Sequence, residues 1–200
     1  MASTVSPVRI ANMALGHFGS DNTIQSITEI SAEAKQVNIW YAFALEQILA
    51  DYDWSFASFR QTLAAHAEAA PDGVWAYRYQ YPSDALVCQE IEKGPTEEVI
   101  PFQIEIVGAG NSKSILTNRA SAIIRYTKNI TDTTLFSPHF VISFSYLLAH
   151  YISYPLTRKK KNKEDMLTAY QALVPLAGAH NFNESGPDAP PEGGSIQARS

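Results

Sequence analysis

Apolar and polar residues alternate with two different periods along this chain, and the period changes twice. Near the N-terminus Ile10, Met13, Ala14 and Phe18 recur at three- and four-residue steps, which predicts a helix with one apolar face. Ser6-Pro7 supplies its start. Serine caps the first free N–H groups, and proline costs little where its missing N–H would have no partner. Gly19 supplies its stop, as a residue free to turn left-handed after the last turn. Residues 20–30 read as a polar connection. Ser31 then caps a second helix that runs to about Tyr52, with Val37, Trp40, Tyr41, Ala44, Leu45, Ile48 and Leu49 forming a broad buried face. Trp54, Phe56 and Phe59 follow it.

From about Ser55 to Thr134 the period is closer to two, punctuated by Gly73, Pro82, Pro95, Pro101, Gly108 and Gly110. Strands are predicted over 59–65, 75–81, 87–91, 102–107, 114–117 and 122–126. In the second, WAYRYQYP, a ring stands at every other position: Trp75, Tyr77, Tyr79 and Tyr81. GAGNSK is a turn of hairpin size between the fourth and fifth.

The helical period returns at Ser137-Pro138. A third helix, with Val141, Phe144, Leu148, Tyr151 and Ile152 toward the core, is expected to run to about Tyr154 and end at Pro155. A fourth starts in the lysine run and carries Met166, Leu167, Tyr170, Leu173 and Val174, with Pro175 expected to kink or end it. After Ala179 glycine, proline and polar residues dominate, and such a segment cannot offset the entropy of ordering by packing on itself. The predicted fold is therefore α+β and mainly helical. It is a four-helix bundle of two N-terminal helices (1–54) and two C-terminal helices (135–178), with an inserted antiparallel β module (55–134) and an extended or disordered C-terminal arm (179–200).

Composition narrows the function. The formal net charge of −5 gives no global basic field of the kind that marks a nucleic-acid binder. One cysteine, Cys88, cannot form an internal disulfide, which fits a reducing compartment. The N-terminus has no basic leader before an apolar run, so no signal peptide is expected. The most apolar stretch, 135–156, is interrupted by Ser137, Pro138, His139, Ser143, Ser145, His150 and Ser153, too polar for a membrane span. A soluble, intracellularly folded protein is expected, with no membrane partner.

Few residues offer catalytic chemistry. His17, His66, His139, His150 and His180 are scattered without metal-ligand spacing. Cys88 lies in a predicted strand without a nucleophile signature and reads as a small hydrophobe. Glu90, Glu92, Glu97 and Glu98 could pair as glycosidase carboxylates, but a turn-rich, solvated stretch is the simpler reading. VGAGNSK lacks the ending of a phosphate loop. No catalysis, cofactor or metal is expected. Arg158, Lys159, Lys160, Lys161 and Lys163 crowd into six positions; they are a solvated run or a contact to phosphate or an acidic partner. The aromatic stripe lacks the basic groove that base stacking requires, so it is assigned to packing or to a subunit or tail interface.

Several stretches together resemble one family. IANMALGHFGS, the Ser31-x-Glu33-Ala34 helix start and DYDWSFASFRQTL are similar to the opening of tailed-phage head-to-tail adaptors of the tail tubular protein A type. YRYQYPSD resembles their β module, and LFSPHFVISFSYLLAHYISYPLT their second helical hairpin; the resemblance covers about residues 6–180. It implies a structural virion protein, assembled in the host cytoplasm, that forms a usually twelve-fold ring in the neck. Its partners would be the portal protein, the tail tube or nozzle protein, further copies of itself, and double-stranded DNA passing without sequence readout. It implies no cofactor and no required catalysis. The family's polar arm reaches the portal, which makes Phe182, Ile196 and Arg199 the candidate portal contacts. Two other classes stay open: a tail-borne cell-wall hydrolase using Glu90 and Glu97, and a nucleic-acid module using the lysine run and the tyrosines.

Overall fold

In a computed structural model, residues 5–71, 73–94, 96–108 and 111–184 are described, with side chains through residue 178. Four helices and two small antiparallel sheets make up the fold: α1 (Pro7–His17), α2 (Ala32–Asp51), β1 (Ser58–Thr62), β2 (Tyr77–Gln80), β3 (Ala85–Ile91), β4 (Phe102–Val107), β5 (Ser112–Thr117), β6 (Ile123–Lys128), α3 (Pro138–Thr157) and α4 (Lys160–Glu184). Two units result. Residues up to Ala57 and from Asn129 form a helical unit, and Ser58–Lys128 form a sheet unit inserted between its halves.

In the helical unit α3 packs on α1, α2 and α4. The caps are those the sequence offers. Ser6 Oγ accepts from the Arg9 N–H at 3.2 Å, Ser31 Oγ from Ala34 at 3.1 Å, and Ser137 Oγ from Phe140 at 3.3 Å. At the end of α1, Gly19 takes φ +75°, its N–H bonds Gly16 O and the Ser20 N–H bonds Leu15 O, a Schellman closure that needs the glycine. Asn12 fixes the α1–α2 connection, giving its amide to Ile24 O (2.9 Å) and accepting from the Ile24 N–H (2.8 Å). Trp54 is fully buried among Phe56 and Phe140, and its indole N–H donates to Ile48 O at 2.7 Å.

The serines that interrupt α3 are buried with their hydroxyls paired. Ser143 Oγ donates to His139 O (3.0 Å) and Ser145 Oγ to Ile142 O (2.7 Å), so each hydroxyl is satisfied by its own helix. Neither internal proline ends a helix where expected. α3 passes Pro155 and stops at Arg158, whose φ of +58° turns the chain while its N–H bonds Tyr154 O at 2.9 Å. α4 passes Pro175, because the carbonyl it orphans belongs to Gln171, and both residues are exposed to water. α4 also runs on to Glu184, so residues 179–184, expected in an extended arm, are helical. Just before this extension Ala177 and Gly178 are buried, and a Cβ on Gly178 would stand 2.1 Å from the Tyr52 ring. The rest of the expected arm lies outside the described residues. No helix among the described residues is long and apolar enough to cross a membrane.

The sheet unit has two three-stranded sheets, ordered β1-β6-β3 and β2-β5-β4. The strands by which the chain enters and leaves, β1 and β6, are direct neighbours, Ser58 opposite Thr127. One apolar core serves both sheets: Leu63, Tyr79, Ile91, Ile115, Ala122, Ile124 and Tyr126, with Tyr81, Cys88 and Phe102 against it. The β4–β5 turn is left-handed at Gly108 (φ +70°) and Asn111 (φ +51°). β3 slips register twice, between Ala85 and Val87 and between Cys88 and Glu90.

Candidate interaction surfaces

The aromatic stripe is not one surface. Only Tyr77 and Tyr79 lie in β2; Trp75 precedes the strand and Tyr81 follows it. Tyr79 is buried, and its hydroxyl donates to Arg119 O at 3.0 Å. Tyr77 stacks on it, with centroids 6.1 Å apart, but is 41% exposed. Tyr81 is half-buried beside Cys88, with the Lys113 ammonium 5.0 Å from its ring centre; burial pushes the Tyr81 hydroxyl and the Cys88 thiol up. Trp75 is half-buried. A base-stacking platform would present all four rings; here Tyr77 is the ring most open to a partner.

Between those rings the sequence pattern places Arg78 on the polar face. Its side chain is nevertheless only 7% exposed, bonded through Nη2 to Glu105 at 2.7 Å, with Nε and Nη1 buried and without a partner among the described residues. Glu105 is the ion-pair partner of a cation removed from water, so its loss would cost more than that of a surface pair.

The basic run is exposed throughout. Arg158 is the C-cap of α3, Lys159 links the helices, and Lys160, Lys161 and Lys163 lie in the first turns of α4. Lys160 reaches Glu164 at 3.4 Å; Arg158, Lys159, Lys161 and Lys163 make no ion pair among the described residues. His150 Nδ1 sits 2.9 Å from Lys163 O, which fixes the run beside the middle of α3.

The sequence reading missed an aromatic patch next to this run. Trp40 stacks on Tyr151 at 4.8 Å, Phe43 meets Tyr151 edge-on at 5.5 Å, and His150 meets Tyr151 at 5.0 Å. Phe43, Ile39 and Tyr154 are exposed around it. Ile39 and Phe43 are four residues apart on α2 and outside its buried face, a second apolar stripe visible in the sequence as an excess over what one core needs.

The candidate catalytic groups are held in structural roles. Glu90 lies in β3, not in a solvated turn, and is bonded to Arg125 Nε at 2.9 Å across β6. Glu97 accepts from the Gly94 N–H (2.7 Å) and from Arg119 (3.0 Å); these bonds hold its carboxyl below the ordinary range, the reverse of what a general acid needs. A serine–histidine pair also went unseen: His17 Nε2 lies 2.8 Å from Ser145 Oγ, with the His17 ring stacked on Tyr146 at 3.7 Å. Ser145 already gives its one proton to Ile142 O, so the imidazole is the donor and does not activate the hydroxyl. Burial lowers the His17 pKa. No cluster of metal-ligating side chains occurs among the described residues. Phe182 falls on the helical backbone of α4; Ile196 and Arg199 lie outside the described residues.

No protein-family model matches the chain, and no curated protein matches it in sequence.

Proposed function

We propose that the chain is a structural head-to-tail adaptor of a tailed bacteriophage, a subunit of a ring, dodecameric by resemblance, that joins the portal to the tail tube or nozzle and lets DNA pass through its lumen. In this reading the four helices are a bundle that docks on the portal, the sheet unit faces the tail, and the residues after α4 reach the portal. The protein belongs to the virion neck and is assembled in the host cytoplasm.

The observation that carries the reading is the exposure of large apolar side chains on both units: Ile39, Phe43 and Tyr154 on the helices, and Tyr77, Ile104 and Ile106 on the sheets. An adaptor needs contact surface on both units, because it binds like neighbours and unlike partners at once. The sheet unit, inserted between two helical halves, gives one subunit two such bodies. The net negative charge suits a conduit that must not hold DNA phosphates tightly. The test mixes recombinant protein with the portal protein and images the mixture by negative-stain electron microscopy. Ring-shaped assemblies on the portal are expected; neither ring nor complex would overturn the reading.

The exposed basic run favours one second reading, a nucleic-acid module binding through residues 158–163. A salt titration of duplex binding decides it: binding that is absent near physiological ionic strength, or indifferent to salt, rules it out.

A further inference from the structure

We infer that the helical unit carries two mutually complementary docking faces, and that the occupant of each is the other face on a second copy of this chain. The inference deepens the ring reading and rests on it.

The first face is aromatic and basic. Ile39 (55% exposed) and Phe43 (52%) stand on one stripe of α2, with Lys35 one turn before them. Tyr154 (45%) stands one turn beyond Tyr151 on α3. The chain of contacts from Phe43 to Tyr151, to His150 and to Lys163 O joins this apolar patch to the basic run. An occupant must therefore bring an apolar side chain flanked by carboxylates.

The second face has that chemistry. Ile30, at the end of the α1–α2 connection, is fully exposed at 106%. Acidic groups surround it in sequence: Asp21 and Glu29 before it and Glu33 after it, in the first turn of α2. Glu29 accepts from the Gln25 and Ser26 N–H groups and from the Ser31 hydroxyl; these bonds keep its carboxyl below the ordinary range and fix the loop that presents Ile30.

Charge is segregated between the faces. Outside 158–163, Arg9 and Lys35 are the only Arg or Lys of residues 5–57 and 129–184; of the acids there, Glu164 and Asp165 follow the run and leave that corner net positive, whereas Asp21, Glu29, Glu33, Glu46, Asp51, Asp53, Asp132 and Glu184 lie elsewhere in the sequence. Two like faces would repel, basic against basic or acidic against acidic. Only the head-to-tail pairing joins opposite signs, and head-to-tail pairing closes into a ring or extends as a filament.

Charge reversal in full-length protein tests this. One variant carries Lys159→Glu, Lys161→Glu and Lys163→Glu; the other carries Asp21→Lys and Glu33→Lys, which gives up the 2.6 Å bond from the Asn22 amide to Glu33 but leaves Glu29 and its three bonds to the loop intact. Self-association is read by sedimentation velocity up to about 1 mM protein at about 0.05 M salt, with circular dichroism to confirm folding. The wild type is expected to associate, and more weakly at about 0.5 M salt. Each variant alone should associate at least about a hundredfold more weakly, because like charges then face each other. An equimolar mixture of the two should recover association, since every contact in an alternating array again joins opposite signs. Phe43→Ala, which leaves all charges in place, should also weaken association.

Association unchanged in both variants would overturn the inference and leave the ring reading standing on another surface. Loss with the lysine variant alone, or no recovery on mixing, would overturn it equally, pointing to a foreign acidic partner or polyanion on the basic face. A wild type that stays monomeric throughout would overturn the self-docking. If that monomer still forms rings with the portal, only this inference falls; if it does not, both fall.

Discussion

Replacing Tyr79 and Tyr77 separately asks whether WAYRYQYP is a core strand or a displayed surface. Tyr79 is 5% exposed in the core shared by both sheets and gives its hydroxyl to Arg119 O at 3.0 Å; Tyr77 is largely displayed. Tyr79→Ala removes a buried ring and leaves a cavity and an unpaired carbonyl, a loss of about 3–5 kcal/mol. Tyr79→Phe keeps the ring and removes one hydrogen bond, about 1 kcal/mol. Tyr77→Ala loses mainly its stack on Tyr79, about 0.5–1.5 kcal/mol. In a unit the size of Ser58–Lys128, each kcal/mol moves the thermal midpoint by about 4–8 °C, so Tyr79→Ala should lower it by more than about 12 °C. Thermal melts followed by near-ultraviolet circular dichroism measure this, with urea unfolding as a second probe because the two units can unfold separately. If Tyr77→Ala proves as damaging as Tyr79→Ala, the assignment of one ring to the core and the other to the surface is wrong. Tyr77→Ala in a stable protein then reads the surface role directly, as lost binding to the proposed tail partner.

Gly178→Ala should destabilise by about 1–3 kcal/mol through its clash with the Tyr52 ring, although alanine is the better helix former by about 1 kcal/mol; a stabilised variant in urea unfolding would refute the contact. Stability should fall as pH drops from about 6.5 toward 5. His17 has a lowered pKa in the fold, so it gains its proton more readily when unfolded, and its stabilisation is complete only above the unfolded value. Removing the imidazole with His17→Gln should flatten that limb of the stability–pH curve, whereas the carboxylates held low, such as Glu97 and Asp132, act only below about pH 4.5. Glu105→Ala should cost about 3–5 kcal/mol by stranding the buried Arg78, against a much smaller loss for Glu97→Ala at the exposed Arg119 pair; equal losses in chemical unfolding would contradict the burial difference.

The element order was legible because each part of it rests on local chemistry. Ser6, Ser31 and Ser137 cap where serine caps, Gly19 turns where glycine turns, and a period of two marked all six strands within a few residues. What the sequence could not show depends on groups distant in the chain. Arg78 reads as the polar side of a strand, and only the fold buries it on Glu105. His17 and Ser145 lie 128 positions apart and meet because α1 packs on α3. α4 closes on Tyr52 at Gly178, a steric fit that no composition shift records, and runs on past Ala179 to Glu184. The prolines misled for a related reason. They mark where a helix loses one N–H, and whether it stops depends on where the orphaned carbonyl points.

The basic run shows how a local cost can carry information about function. Lys160, Lys161 and Lys163 occupy the first turns of α4, where the helix dipole disfavours positive charge by about 0.3–1 kcal/mol each at an exposed site. One weak pair, Lys160 with Glu164, returns part of that. Arg158 adds a left-handed backbone to the same corner, a conformation glycine would hold at lower cost. A corner selected for stability alone would carry acids at those positions and a glycine at the turn. On the inferred docking, its positive charge, displayed beside Phe43 and Tyr154 on an otherwise acidic unit, meets an occupant that brings carboxylates to it. Stability should therefore rise when the lysines are reversed to glutamate, while association falls, and those opposite signs separate a binding face from a merely solvated one.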